Sequence, residues 1–283
     1  MAGAALSEPG RVDWRLAAPL GLTYLAFFAA PLIILLAMSF AADDFFTAFS
    51  FHAWIDFWGD SFYRGVVYDT VRLGLVAVIA TSLMAYPIAL LFVASGPRMR
   101  KLLIFIILLP LLISVVIRTF AWIAILAREG VVNQTLIALG LTSTPLNLLQ
   151  TELGLVIALS QIEMPLMLLP LITVMQQIDP SLSDASRALG GSKWRTFFKV
   201  TLPLSIPGWI AGATLVFASA TTAFISQSII GGARLVYLPS LIWQQAMVVY
   251  NWPFAAVASV TLLVAVLAGV TLFSLLGRFA RTD

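Results

Sequence analysis

The stretch from Asp179 to Pro207, DPSLSDASRALGGSKWRTFFKVTLPLSIP, is a long polar interruption in an otherwise apolar chain, and its reading decides the fold. Asp179 is placed to cap a helix whose first position is Pro180, where a missing N–H costs nothing. Leu182, Ala185 and Leu189 then recur at helical spacing. Gly190 and Gly191 offer the left-handed backbone that ends a helix, and Ser192 is placed to cap a second one carrying Trp194, Phe197 and Phe198. Pro203 and Pro207 are expected to end that second helix, because the residue before a proline is pushed out of helical geometry. The spacing therefore predicts a helix, a tight turn and a helix, with an apolar knob and a basic rim of Arg187, Lys193, Arg195 and Lys199.

Outward from this stretch the chain is membrane-grade. Of its 283 residues 61% are hydrophobic and only 10% charged, whereas soluble domains carry about 25% charged residues. The apolar run Ala17–Ala41 is longer than the roughly 7–15 residues of a signal-peptide core and suits a span of about 20. Ser39-Phe40-Ala41 still makes a passable cleavage pattern. Asp43 to Arg64, with Trp54, Phe57, Trp58 and Tyr63, reads as an interfacial segment with a short helix. Further spans are expected at Tyr68–Ser95 with a kink at Pro87, Leu102–Ala127, Leu153–Ile178 interrupted by Gln161, Glu163, Pro165 and Pro170, Ile206–Ile229 and Pro253–Leu276. A short helix fits 131–139 in the loop between the third and fourth spans. The reading is an all-α, polytopic membrane protein of six transmembrane helices. Residues 1–16 form a cytoplasmic tail, 17–277 one transmembrane domain, and 278–283 a second tail.

Orientation follows from the Lys and Arg count. With the amino terminus inside, Arg11, Arg15, Arg98, Arg100, Lys101, Arg187, Lys193, Arg195, Lys199, Arg278 and Arg281 face the cytoplasm. Arg64, Arg72, Arg128 and Arg234 face outward, and Arg118 is buried, so the bias is eleven against four. Both termini and the 179–206 loop are then cytoplasmic.

The chemistry-bearing motifs are few. No Gly-x-x-x-x-Gly-Lys-Ser/Thr loop is present to cradle nucleotide phosphates, so any ATP-driven work needs a partner. With no Cys and a single histidine, His52 in an outer loop, ordinary zinc chemistry is excluded. No Gly-x-Ser-x-Gly elbow supports a membrane-embedded hydrolase. A carboxylate near the centre of a span, Glu163, costs about 2.5–3.5 kcal/mol on insertion scales and marks either a solute path or a pair. As path it attracts a cation, with Gln161 on a different face; as pair its partner is Arg118, the one buried cation. Arg118 and Trp122 lie one turn apart and serve either the path or helix packing and snorkelling. Asp69, at the outer end of the second span, stands one turn from Arg72 and is expected to pair with it.

Asp184-Ala185-Ser186, then Gly190, then Leu202-Pro203 resembles the EAA signature of ABC importer permease subunits. Asp184 replaces the usual Glu and Ser186 the second Ala. Ile117-Arg118-Thr119-Phe120-Ala121-Trp122, Arg128-Glu129-Gly130-Val131-Val132-Asn133, Gly231-Gly232 and Asn251-Trp252-Pro253 are similar to the spermidine/putrescine-type branch, whose cargoes are polyamines or opines. The resemblance implies a type I importer permease fold. It makes 179–206 the coupling loop, with Asp184, Ala185, Ser186, Gly190, Trp194, Phe197, Leu202 and Pro203 meeting the ATPase. It implies a second permease subunit forming a heterodimer, two ATPase subunits that bind ATP and magnesium, and an extracytoplasmic solute-binding protein. This chain would carry no cofactor, metal or nucleic acid of its own and would sit in the bacterial inner membrane. The expected cargo is a polyamine-like cation that meets Glu163, Gln161, Arg118, Trp122 and Asp69. Two other readings remain: a self-contained secondary carrier or channel, and an importer of another small solute such as an opine, an amino-acid derivative or a metal complex.

Overall fold

The computed structural model describes residues 14–279. The tail charges Arg11 and Arg281 lie outside them. The described residues begin with α1 (Trp14–Tyr24), a π turn (Leu25–Ala29) and α2 (Ala30–Met38), which together form the first span. Next come α3 (His52–Gly59), α4 (Ser61–Ala94), α5 (Pro97–Leu108) running into a 3-10 turn (Leu109–Leu112), α6 (Val115–Leu126) and α7 (Val131–Ala138). Then follow α8 (Glu152–Met175), α9 (Pro180–Ala188), α10 (Lys193–Thr196), a π turn (Phe197–Thr201) and α11 (Leu202–Thr221). The chain continues through α12 (Phe224–Gly231), a 3-10 turn (Gly232–Arg234), α13 (Leu238–Met247) and α14 (Trp252–Phe279). Among the described residues five helices are long and apolar enough to cross a membrane, and a bent pair, taken as one span, brings the number to six.

The bent pair corrects the expected third span. Residues 97–112 and 115–138 meet at 101° rather than forming one rod. Pro110 lacks the N–H that would continue the helix, Ile113 goes extended, and Ser114 starts α6 afresh. The fourth span departs in the opposite sense, for α8 runs unbroken through Pro165 and Pro170. A proline removes one ladder bond, and inside a membrane every other backbone group still has to be satisfied within its own helix. Pro203 and Pro207 likewise do not end the loop's second helix. Residues 193–221 form one continuous helical rod of 29 residues, and the missing Pro203 N–H falls just after the wide π turn Phe197–Thr201. The second span starts earlier than expected, since α4 is 34 residues long and Asp60 caps it by accepting from the Phe62 N–H at 2.8 Å.

The fifth span ends at Thr221, not Ile229. There the side-chain amide of Gln227 donates to the Ala220 carbonyl at 2.9 Å, satisfying a helix-end acceptor, and the chain folds back as α12. Between the fifth and sixth spans lies α13.

The centre of the bundle is α4, α8 and α11, each touching the other two, with α14 packed on α11 and α6 and α12 on the far side of α8. Lipid tails are as apolar as leucine, so close helix contact depends on small residues rather than on escape from water. Gly208 and Gly212 supply this on α11. A Cβ at Gly208 would stand 2.9 Å from the Pro170 carbonyl, and one at Gly212 would stand 3.0 Å from the Met167 Cα. Phe217, 1% exposed, fills the gap opened by Gly74 of α4 and Gly269 of α14. The first span is different: none of its apolar window is buried within this chain.

Candidate functional site

Two regions gather the residues expected to matter. The first is the loop after α8. Asp179 accepts the Ser181 N–H at 2.9 Å and Ser192 accepts the Arg195 N–H at 3.3 Å, so both short helices are capped as their sequences predict. The Asp179 carboxyl is held below its ordinary value because it accepts that backbone N–H, and the Ser181 side chain adds to the effect. Between the helices only Gly190 adopts positive φ, at 77°. The Gly190 N–H bonds the Arg187 carbonyl and the Gly191 N–H reaches the Ser186 carbonyl, both at 2.9 Å. This is the paired pattern of a Schellman stop. Gly191 is needed for a different reason: a Cβ there would stand 2.6 Å from the Ser186 carbonyl.

The hydroxyls of Ser186 and Thr196 meet at 2.9 Å and tie α9 to α10. Leu182, Ala185 and Leu189 form the apolar side of α9, and nothing among the described residues covers it; Leu189 is 85% exposed. Asp184 is exposed as well. Trp194 stacks on Phe198 at 6.1 Å, whereas Phe197 turns inward and meets Tyr86 of α4 edge-on at 6.2 Å. Leu202 is half-buried and Pro203 exposed at the start of α11.

The second region lies at mid-bundle between α6, α8 and α11. Glu163 is 6% exposed. The Ser219 side chain and the Arg118 guanidinium are polar groups in its surroundings. Arg118 makes no contact ion pair with Glu163 among the described residues; its Nη1 donates instead to the Ile162 carbonyl at 3.0 Å, and its buried Nε has no partner. Trp122 Nε1 donates to Gln161 Oε1 at 2.9 Å, joining α6 to α8. Thr119 and Ser226 hydroxyls meet at 3.1 Å beside them. Ser219, Ser226 and Gln227 were not singled out from sequence, although each is a polar residue in an apolar run.

Asp69 lies apart from this cluster. It lines a polar cavity of about 290 Å3 with Arg72, Glu152, Arg234 and Tyr237. The expected Asp69–Arg72 pair is corrected here, for Arg72 of α4 bridges to Glu152 at the start of α8. A neighbouring helix end offered a better-placed carboxylate than the same helix three residues back. His52, at the start of α3, has its Nδ1 2.8 Å from Asp56 Oδ2 and is largely exposed, an ordinary surface arrangement.

With this geometry in hand, comparison with known proteins is decisive. The family model described as "Binding-protein-dependent transport system inner membrane component" matches residues 9–281. The chain belongs to that family. It is a permease subunit of an ABC importer, a multi-pass inner-membrane protein with no catalytic role of its own. It is 32% identical over 246 residues, 86% of each chain, to the spermidine/putrescine transport system permease protein PotB of Haemophilus influenzae. Against PotB of Escherichia coli the identity is 32% over 72% of this chain and 74% of that one. Among solved structures, a bacterial ABC transporter involved in import of the acidic polysaccharide alginate superposes with a TM-score of 0.75. It is 19% identical and covers 96% of this permease and 97% of that chain, which shows the shared fold. The methionine transporter MetNI, inward facing, gives 0.58 at 17% identity over 77% of this permease and 95% of that chain.

Proposed function

We propose that this permease moves a polyamine-like organic cation inward, driven by ATP hydrolysed in partner subunits. The observation that carries the coupling half of the reading is the uncovered apolar side of α9. A helix capped at Asp179 and stopped by a Schellman turn at Gly190 is held rigid, yet Leu182, Ala185 and Leu189 remain exposed. An exposed apolar face on a polar loop marks a protein contact, and Asp184, Ser186, Trp194, Phe197, Leu202 and Pro203 surround or support it. The partner is an ATPase subunit that binds ATP and magnesium. Two such subunits, a second permease subunit in a heterodimer and an extracytoplasmic solute-binding protein complete the assembly. Both termini and the 179–206 loop face the cytoplasm, as the charge bias requires.

The cargo half rests on the relatives, whose names specify spermidine and putrescine, and on Glu163. A buried carboxylate without a contact counter-ion is able to stabilise a passing ammonium. Its attraction has to be modest, because a site that holds too tightly does not release. Gln161, Arg118 and Trp122 position this carboxylate's surroundings, and Asp69 supplies negative charge at the outer end. The test is ATP-dependent uptake by the whole reconstituted complex. Competition of labelled spermidine uptake by putrescine is expected; transport of an anionic or neutral solute, unaffected by polyamines, would overturn the cargo and leave the importer standing.

A further inference from the structure

An open groove of about 1150 Å3 runs between α4, the start of α11 and the coupling loop. Its size exceeds the roughly 300–1,000 Å3 of ordinary small-molecule pockets. Within the spans its walls are Ile79, Leu83 and Leu90 of α4 and Ile206 and Trp209 of α11. The polar atoms at that depth are already used: Tyr86 Oη meets Ser205 Oγ at 3.1 Å, and Trp209 Nε1 donates to Ser82 Oγ at 2.7 Å. This part has nothing to offer a polar occupant. At the loop end Trp194 and Phe198 continue the apolar wall, 73% and 56% exposed. Arg187 and Lys193 also line the groove, and no carboxylate does. Neither cation has an ion-pair partner among the described residues.

An apolar trough closed at one end by two unpaired cations is complementary to an amphiphile with an anionic head. We propose that the groove holds an anionic phospholipid of the cytoplasmic leaflet, its acyl chains along α4 and α11 and its phosphate between Arg187 and Lys193. The site ties the coupling loop to the bilayer through the lipid. Basic side chains at an anionic membrane surface act on headgroups in this way, while the apolar wall supplies the depth that surface charge alone lacks.

The assembled importer, with a photo-crosslinking benzophenone side chain at Leu83, is placed in nanodiscs of equal phosphatidylglycerol and phosphatidylcholine. Adducts are identified by mass spectrometry. The two cations together give a preference for phosphatidylglycerol of roughly 30-fold, and the same probe at Leu112, 85% exposed on the α5–α6 bend, gives none. Arg187→Gln with Lys193→Gln brings the Leu83 ratio to parity while lipid adducts persist. A Leu83 adduct with the second permease subunit or any other protein, or equal labelling by both lipids in the unaltered loop, overturns the proposal. So does the same preference at Leu112. The headgroup comparison needs no loop substitution, so it stands even where the double variant fails to assemble, and it reads out independently of cargo.

Discussion

Replacing Glu163 by Gln keeps the side chain's shape and removes its charge, so it isolates what the carboxylate does. Two unit charges about 4 Å apart attract by roughly 4 kcal/mol at an effective dielectric of about 20. A solute ammonium that keeps part of its water, near the opposing charge of Arg118, realises roughly a third to two-thirds of that. At about 1.4 kcal/mol per factor of ten, uptake of spermidine by Glu163→Gln should fall roughly 10- to 100-fold. Stability should not fall with it. Arg118 keeps its bond to the Ile162 carbonyl at 3.0 Å, so neutralising Glu163 breaks no direct contact of the guanidinium. Losing a charge at mid-span also relieves about 2.5–3.5 kcal/mol of insertion cost. The assay is labelled spermidine uptake into proteoliposomes of the whole complex, beside its basal ATP hydrolysis and thermal unfolding. Unchanged uptake in a normally assembled variant would refute the path. Loss of folded protein, restored by adding Arg118→Gln, would instead show that the two residues stabilise the bundle as a pair.

At Gly190, held at φ 77°, Val should insert and assemble but strain the turn by about 1–3 kcal/mol, and ATP-driven uptake should be lost; uptake at the normal rate would rule out this turn as a coupling element. Phe217→Ala should cost about 3–5 kcal/mol, because Gly74 and Gly269 offer no side chain to close the cavity, and an unfolding midpoint equal to that of the unaltered protein would contradict the packing. The Arg72–Glu152 bridge is half in water, with side chains 44% and 35% exposed, so Glu152→Gln should shift stability by less than about 1 kcal/mol, and a larger change in chemical denaturation would show that it closes the outer end. Asp179 accepts the Ser181 N–H more strongly as a carboxylate, which is why its pKa is lowered. Its cap is therefore complete above the unfolded pKa of about 3.9 and is lost as pH falls through the lower folded value. Amide exchange across 180–188 should speed up in that acid range, and Asp179→Asn, which caps without titrating, should abolish the dependence.

The sequence by itself determined the membrane class, the apolar segments and the local form of the 179–206 loop. Those features depend on short-range chemistry: apolar length against bilayer thickness, side-chain caps at Asp179 and Ser192, and a residue at Gly190 that tolerates positive φ. The EAA-like residues were legible for the same reason, being contiguous. Only the tertiary structure decided what happens where two helices compete for one group. Proline at 165 and 170 suggested a broken fourth span, yet α8 stays whole, enclosed by α4 and α11. Proline at 110 is the one that bends the chain, at a site where few neighbours enclose the backbone and Ile113 is 37% exposed. Arg72 chose Glu152 over Asp69, and Arg118 chose the Ile162 carbonyl over Glu163. The partners of those charges are set by which helix ends and faces are brought together, some 80 and 44 residues apart along the chain. The pairing of a charge with a distant residue leaves no local signature, whereas a cap or a turn is written within four residues of itself.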